Sequence, residues 1–555
     1  MHCAGSRHLC AAVGYWRTPV TDKGMVVTPQ PEATEAGRDI LAAGGNAVDA
    51  AIAAALVQTV VDPLMCGIAG FGSLAVYLPS KRVHIYYDFH SPAPSGVRPD
   101  MWEPLIEGEA RDGYGFILKG NVNDIGYQSI CVPASLKAYA EAHRDHGKLP
   151  WAELFGPAIA YAEGGWDVRP HVHTFWTEEG IMGRVGNAER ISFTPAAREL
   201  YCRRDGSPKR VGDRVINPDY GAVLRVIAKD GEEAFYRGEI ADAIDADLRS
   251  NGGLLRRFDL EKFHIVRNMP LSRGYRNFRV TTNQAPGGGI MLLEMLGTLE
   301  NFDLRSLRHN SVEYIRIVAE AMKAATRDKD LFIGDPSFVD VPTERLISKE
   351  HCAEIADGIK RGNKAEVARF NAGLPSKETT QVSIRDAEGN CISMTHSLGM
   401  PSGVVTRGLG FMYNGCMGVF DPRPGRAGSL APGKARFSSI CPSIVFDGGN
   451  PVLVIGAPGA TQIAMGVLQV TLNVLDFAMT MLEAVSSPRF SATSNVIDLS
   501  NRIPRATERE LTGLGYQTVR WPLSHTFAWV HGIKITPDGL EGGADPATDG
   551  MALSV

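Results

Sequence analysis

The sequence predicts an α+β protein, helices and antiparallel strands sharing one large body, and three observations carry that reading. Apolar stretches of helical period fill the early part and the middle of the chain. From Thr379 onward the period falls to two, in short runs separated by turn residues. The third is size: 555 residues with a 44% apolar share and a 21% charged share can bury a core far larger than a small domain needs.

The elements follow in order. After a tail over 1–24, residues 24–28 read as a first strand. Residues 32–43 and 47–61 read as helices separated by Gly44-Gly45. Asn46 is placed to cap the second helix, Asp49 sits in its first turn, and Pro63 follows its end. Its alanine-rich, nearly all-round apolar surface marks it as buried. Strands are expected at 73–77 and 84–87, then a mostly helical stretch over 132–330 with an amphipathic helix at 311–327. Ala285-Pro286-Gly287-Gly288-Gly289 opens another helix. A triple glycine there can cradle a phosphate, but no Lys-Ser/Thr follows, so close packing is the better account. Gly373 and Pro375 make 371–377 a surface-exposed connection.

Past that connection lies a hairpin. Thr380, Val382 and Ile384 share one strand face; Thr379, Gln381 and Ser383 share the other. Ala387-Glu388-Gly389 suits a three-residue loop with Gly389 left-handed, and 391–397 is the return strand. If Asp386 faces Asn390, Ser397 stands opposite Thr379, within reach of a hydrogen bond. Facing hydroxyls are common in sheets and carry little alone.

Several functions are excluded or disfavoured. A net charge of −5 over this length points to neither nucleic acid nor an anionic membrane. The longest apolar stretch, 50–61, is broken by Gln58 and is too short to span a bilayer. The nine cysteines (Cys3, Cys10, Cys66, Cys131, Cys202, Cys352, Cys391, Cys416 and Cys441) include no CxxC pair, which favours free buried thiols over disulfides or zinc. Residues 9–16 form a short apolar run behind Arg7, without a convincing cleavage site. The expectation is a soluble, cytoplasmic protein. His171-Val172-His173 lacks a carboxylate or cysteine at metal-site spacing, and no GxSxG, HExxH or Walker-type loop occurs.

One set of ordered motifs is specific. Thr379-Thr380 opening a strand, with Asp386 to Asn390 behind it, resembles the start of the small subunit of gamma-glutamyltransferases, which are N-terminal nucleophile hydrolases. The likeness extends over nearly the whole chain beyond the tail. It includes Gly44-Gly45-Asn46-Ala47-Val48-Asp49-Ala50-Ala51, Gly67-Ile68-Ala69-Gly70, Gly287-Gly288-Gly289 and His309-Asn310-Ser311. Later come Ala431-Pro432-Gly433-Lys434, Phe437-Ser438-Ser439 and Gly456-Ala457-Pro458-Gly459-Ala460.

The resemblance implies a four-layer αββα sandwich with two stacked antiparallel sheets, and a precursor that cuts itself between Glu378 and Thr379. A large fragment, 25–378 behind its tail, would stay associated with a small one, 379–555. Thr379 would attack the carbonyl of Glu378, and hydrolysis of the resulting ester would separate the chains and free a new N-terminus at Thr379. A threonine hydroxyl needs an adjacent base, and an α-amino group with a pKa of about 7.7–8.0 can serve. Ser397, where the family usually has threonine, would orient the hydroxyl, and Thr395 would support the amine. Gly459 and Ala460 correspond to the oxyanion hole; the family commonly has a second glycine at the alanine. Ser438 and Ser439 match the substrate-binding serine pair. No cofactor or metal is implied.

The departures concern the substrate. Where glutathione-cleaving members grip the glutamyl head with arginine, asparagine, glutamine and aspartate, this chain has His90, Gly399, Cys416 and Val419. The leading expectation is therefore an acylase acting on a small-molecule amide whose acyl group lacks the glutamyl head. A true gamma-glutamyl enzyme using Arg407 or Arg436 is the alternative, and a non-catalytic binding relative is a third.

Overall fold

The computed structural model describes residues 24–109, 115–180, 184–367, 379–522 and 527–555. The tail to 23, Cys3, Cys10, the 371–377 connection and Glu378 lie outside the described residues.

The strands used below are β1 Met25–Thr28, β2 Phe71–Leu78, β3 Val83–Phe89, β4 Val266–Asn268, β5 Leu271–Tyr275, β6 Phe278–Thr282, β7 Thr380–Arg385, β8 Cys391–Ser397, β9 Ser443–Asp447, β10 Asn450–Gly456, β11 His531–Thr536, β12 Gly539–Gly543 and β13 Met551–Ser554. The helices are α1 Pro31–Ala42, α2 Ala47–Val61, α3 Ser135–His146, α4 Gly289–Leu299, α5 Val312–Phe332, α6 Lys349–Lys360 and α7 Ile463–Leu475.

Two sheets result, each antiparallel throughout. The first runs β13-β1-β7-β8-β2-β3-β4, and the second β12-β11-β10-β9-β6-β5. Chain beyond Thr379 supplies β7, β8 and β13 to the first and β9 to β12 to the second, so the first sheet interleaves strands from either side of that residue and the second joins them at the β9–β6 pair. The facing sides bury Met25, Val27, Ala75 and Tyr86 against Ile444, Phe446, Val454 and Ile533. The outer side of the first sheet packs Val26, Val382 and Ile384 on α1 and α2. The outer side of the second packs Val280, Val445 and Ile455 against α4, α5 and α7. The order is helix, sheet, sheet, helix, as expected.

The reasons are local. Asn46 caps α2 by accepting from Val48 and Asp49, and the Asp49 carboxylate returns a bond to the Asn46 amide. Every residue of α2 is buried, Ile52, Leu56 and Val57 completely, and such side chains are each worth roughly 1.5–3 kcal/mol. Ser311 caps α5. Within the stretch read as mostly helical, β4, β5 and β6 are strands. Their short runs end at Pro270 and at the Arg276-Asn277 turn, where Arg276 takes a φ of 56°, and they give too few residues for the period to show. No helix of the described residues is long and apolar enough to cross a membrane.

Candidate active site

The hairpin forms in the expected register. Thr380 pairs with His396, Gln381 with Thr395 and Arg385 with Cys391. Gly389 takes a φ of +82° in the loop, which only glycine adopts without strain. Asp386 binds the loop through the Glu388 and Asn390 amides and also accepts from the Ala47 amide, which ties the hairpin to the start of α2.

That register brings Thr379 and Ser397 together. The Thr379 hydroxyl donates to the Ser397 Oγ at 3.0 Å, and both residues are buried. The same Oγ accepts from the Gly399 amide at 2.8 Å. Thr395, two residues away on the same face, donates to Gln381 Oε1 at 2.5 Å. Gln381 in turn packs on Gly456, where a Cβ would lie 2.3 Å from its Oε1.

Gly456 ends β10, and the loop beyond it carries the candidate oxyanion hole. Gly459 has a φ of +141°, and a Cβ there would meet the Ala528 Cα at 2.5 Å, so the position admits no side chain. Ala460 is left-handed, with a φ of +46°. Three residues later α7 begins, aiming the positive end of a buried helix toward this loop. Backbone N–H groups so placed suit a developing oxyanion. The strain at Ala460 explains why glycine is common there. Ala460→Gly is expected to raise stability by about 0.5–1 kcal/mol, read as a higher denaturant midpoint at unchanged m-value.

Ser438 and Ser439 lie on a loop held against the triple-glycine turn. The Ser438 amide donates to the Pro286 carbonyl at 2.9 Å, and the Gly288 amide to the Ile440 carbonyl at 2.8 Å. A Cβ on Gly288 would sit 2.3 Å from the Ser439 carbonyl oxygen. The glycines serve close packing.

The residues replacing the glutamyl grip converge on one side chain. A single antiparallel bridge of Pro92 with Ala435 brings the segment after His90 against the loop before the serine pair. Arg436, buried, extends its guanidinium over the Phe71 ring at 4.4 Å and donates to Cys416 Sγ at 3.6 Å. A Cβ on Gly399 would meet Arg436 Nη1 at 2.7 Å and Cys416 Sγ at 2.9 Å. The guanidinium thus occupies room that larger side chains at 399 and 416 would take. The His90 ring lies tilted at 37° to Phe71 with centroids 6.4 Å apart, and neither ring nitrogen has a hydrogen-bond partner. Burial and the Arg436 charge push its pKa down to about 3, so it is neutral. Burial pushes the Cys416 thiol up to about 11. Val419 ends the short 3-10 helix Cys416–Val419. A cavity of about 760 Å³ is lined by His90 together with Phe263, Lys262, Pro286 and Ala435 among others.

Sequence reasoning left Arg407 and Arg436 equal; they are not. Arg407 is exposed and pairs with Glu199 at 3.0 Å. His171 packs edge-on against Trp529, and His173 bonds the Lys209 carbonyl. Among the described residues, Glu294, Asp328 and His351 are the one group whose ligand atoms converge as a metal would require. His351, raised to about 9 by bonds to Asp328 and Glu294, fills that role with its own proton, and Arg327 neutralises Asp328 further. None of the three bonds to the hairpin.

The Ser397 geometry predicts an effect on processing. Ser397→Ala removes the acceptor of the Thr379 hydroxyl and should slow fragment formation about tenfold, the worth of one such bond. Ser397→Thr should process at nearly the normal rate. Equal rates for all three, followed by intact mass, would mean that the hydroxyl is idle.

Known proteins resemble this chain over nearly its whole length. The family model for gamma-glutamyltranspeptidase matches residues 33–555. An acylase ACY 1 proenzyme of Pseudomonas sp. (strain V22) is 35% identical, covering 97% of this chain and 95% of the relative. A glutathione hydrolase proenzyme of Pseudomonas aeruginosa is 30% identical, covering 96% and 95%. The crystal structure of a cephalosporin acylase from Bacillus halodurans superposes with a TM-score of 0.83 at 29% identity, covering 96% of each chain.

Proposed function

The chain belongs to the gamma-glutamyltranspeptidase family, and from that premise we propose that it is a self-processing N-terminal threonine amide hydrolase, an acylase rather than a glutathione hydrolase. In the precursor the Thr379 Oγ attacks the Glu378 carbonyl carbon and the C–N bond breaks. That cleavage frees the Thr379 amine and leaves Glu378 as an ester on Oγ, which water then hydrolyses to the Glu378 carboxylate and the Thr379 hydroxyl. In turnover that amine takes the hydroxyl proton as Oγ adds to the substrate carbonyl, and returns it to the departing amine. The Gly459 and Ala460 N–H groups hold the oxyanion, and water cleaves the acyl-threonine ester. Ser438 and Ser439 bound the substrate beside Arg436. Interleaving of strands in the first sheet, and the β9–β6 pair that joins the two segments in the second, support fragments 25–378 and 379–555 remaining bound after the cut.

The acyl-group assignment is carried by Arg436. At the glutamyl-head positions His90, Gly399, Cys416 and Val419 supply no carboxylate and no amide side chain, and a buried guanidinium fills the room. A guanidinium takes a carboxylate with two parallel bonds and repels an ammonium. A carboxyacyl amide without an α-amino group therefore fits, as does a small neutral acyl group. The relatives named as acylases favour the same reading.

The test compares kcat/KM for gamma-glutamyl, glutaryl and butyryl anilides. At least one of the last two should equal or exceed the first. A hundred-fold preference for the gamma-glutamyl compound over both would restore the glutathione-type reading. We place the enzyme in the cytoplasm because the seven described cysteines are buried and unpaired, which suits a reducing compartment; cell fractionation checks this.

A further inference from the structure

Behind the hairpin, on the face opposite Thr379, lies a buried polar chain that the reaction above does not use. Gln58 interrupts the apolar surface of α2 and is fully buried. Its Nε2 lies 2.6 Å from Gln30 Oε1, 3.0 Å from Thr380 Oγ1 and 3.2 Å from the Gln381 carbonyl oxygen. Those acceptors orient the amide, so its Oε1 faces His396 Nε2 at 2.7 Å. His396 is neutral, its pKa pushed down to about 3 by burial, and carries one proton. That proton must sit on Nε2, so Nδ1 accepts from the Tyr139 hydroxyl at 2.7 Å. At the other end Gln30 Nε2 donates to Asp62 Oδ2 at 2.9 Å. Every donor along the chain points the same way, from Tyr139 to the Asp62 carboxylate, an arrangement in which each bond polarises the next.

The position of this chain matters because of what the sheet lacks there. Pairing of β1 with β7 stops at Val27 opposite Ser383, so Thr380 lies beyond the end of β1. On that edge Thr380 meets side chains instead of a strand, its Oγ1 accepting from Gln58 and donating to Gln30 at 3.2 Å. Its ladder partner is His396 on the other edge, itself a member of the chain. In the precursor, residue 379 is also held by the peptide bond to 378. After the cut that tether is gone, and a strand terminus paired on one edge frays unless something holds it.

We propose that Gln58 and Gln30 form a clamp on Thr380 that positions the N-terminal nucleophile in the mature enzyme, replacing the covalent tether lost on cleavage. The clamp rests on Thr379 being that nucleophile. Gln30, Gln58, Asp62 and Tyr139 belong to the large fragment, Thr380 and His396 to the small one, so the device joins the two fragments at the reacting residue. These are positioning residues: their side chains occupy the face opposite Thr379.

A structural role and a positioning role separate in one experiment. Thr380→Val keeps shape and loses the hydroxyl; Thr380→Ser keeps the hydroxyl; Gln58→Leu removes the clamp from the other side. Fragment formation is followed by intact mass, and kcat and KM are measured on the best anilide. Thr380→Val and Gln58→Leu should form fragments within about threefold of the normal rate. Their kcat should fall ten- to a hundred-fold, the effect of a misplacement near 1 Å, with KM within about threefold. Thr380→Ser should restore kcat. A Thr380→Val enzyme with normal kcat, or one whose processing falls as far as its kcat, overturns the clamp while leaving the nucleophile assignment standing. A wild type whose small fragment does not begin at Thr379 overturns that assignment and the clamp together.

Discussion

Thr379→Ala is expected to remain a single 555-residue chain and to hydrolyse no amide above about a thousandth of the wild-type rate. Removing the hydroxyl deletes the attacking atom of both reactions, and losing a covalent nucleophile typically costs at least that much. Wild-type protein should instead resolve into two chains, the smaller beginning Thr-Thr-Gln-Val-Ser. Intact mass and N-terminal sequencing check the cut, and a chromogenic amide checks turnover. The protein should keep its fold, because Thr379 lies just before β7 and the ladder from Thr380 onward is independent of its side chain. A variant that is cut and active would remove Thr379 from the mechanism, and an uncut but active wild type would remove self-cleavage.

Arg436→Met should lower kcat/KM for a glutaryl anilide about a hundred-fold while changing that for a butyryl anilide by less than about threefold. Methionine keeps an unbranched stem and removes the guanidinium that lies over Phe71, and with it the charge proposed to meet the carboxylate. A hydrogen bond to a charged group is worth roughly 1.5–3 kcal/mol, and losing two of them reaches a factor of about one hundred or more, since about 1.36 kcal/mol is tenfold. The butyryl group never engages the guanidinium and so serves as the internal control. An equal loss on both substrates would assign Arg436 to holding the loop rather than to reading the acyl group.

The two predictions differ in where their evidence arose. The hairpin register was legible in the chain itself, and the family resemblance implied Thr379 within it as the nucleophile. Period-two alternation after Thr379, a three-residue loop closed by Gly389 and the return strand to Ser397 determine a register without any distant contact. The structure reproduces it pair by pair, with the two hydroxyls 3.0 Å apart. The same holds for α2, whose capping box and apolar surface are local properties. The short strands β4 to β6 were less visible, because a few residues hold too little period to separate strand from helix.

The acyl-binding pocket and the clamp could not be read that way. Four substituted positions told that the glutamyl grip was gone, but not what replaced it. Arg407 and Arg436 are both loop arginines, and nothing in their sequence neighbourhoods separates them. The choice depends on pairing of Pro92 with Ala435 and on space left beside Gly399 and Cys416, contacts made only when distant segments pack. Gln58 stood out as a polar residue in an apolar helix, yet its partner Thr380 lies 322 residues away. Sequence alone determined the fold class and the hairpin register, because each follows from local periodicity and turn chemistry, while the family resemblance implied Thr379 as nucleophile and the loss of the glutamyl contacts. Which cation lies beside Gly399 and Cys416 and which side chains meet Thr380 from behind were decided only by tertiary packing, because a buried side chain's partners are set by the elements that close around it.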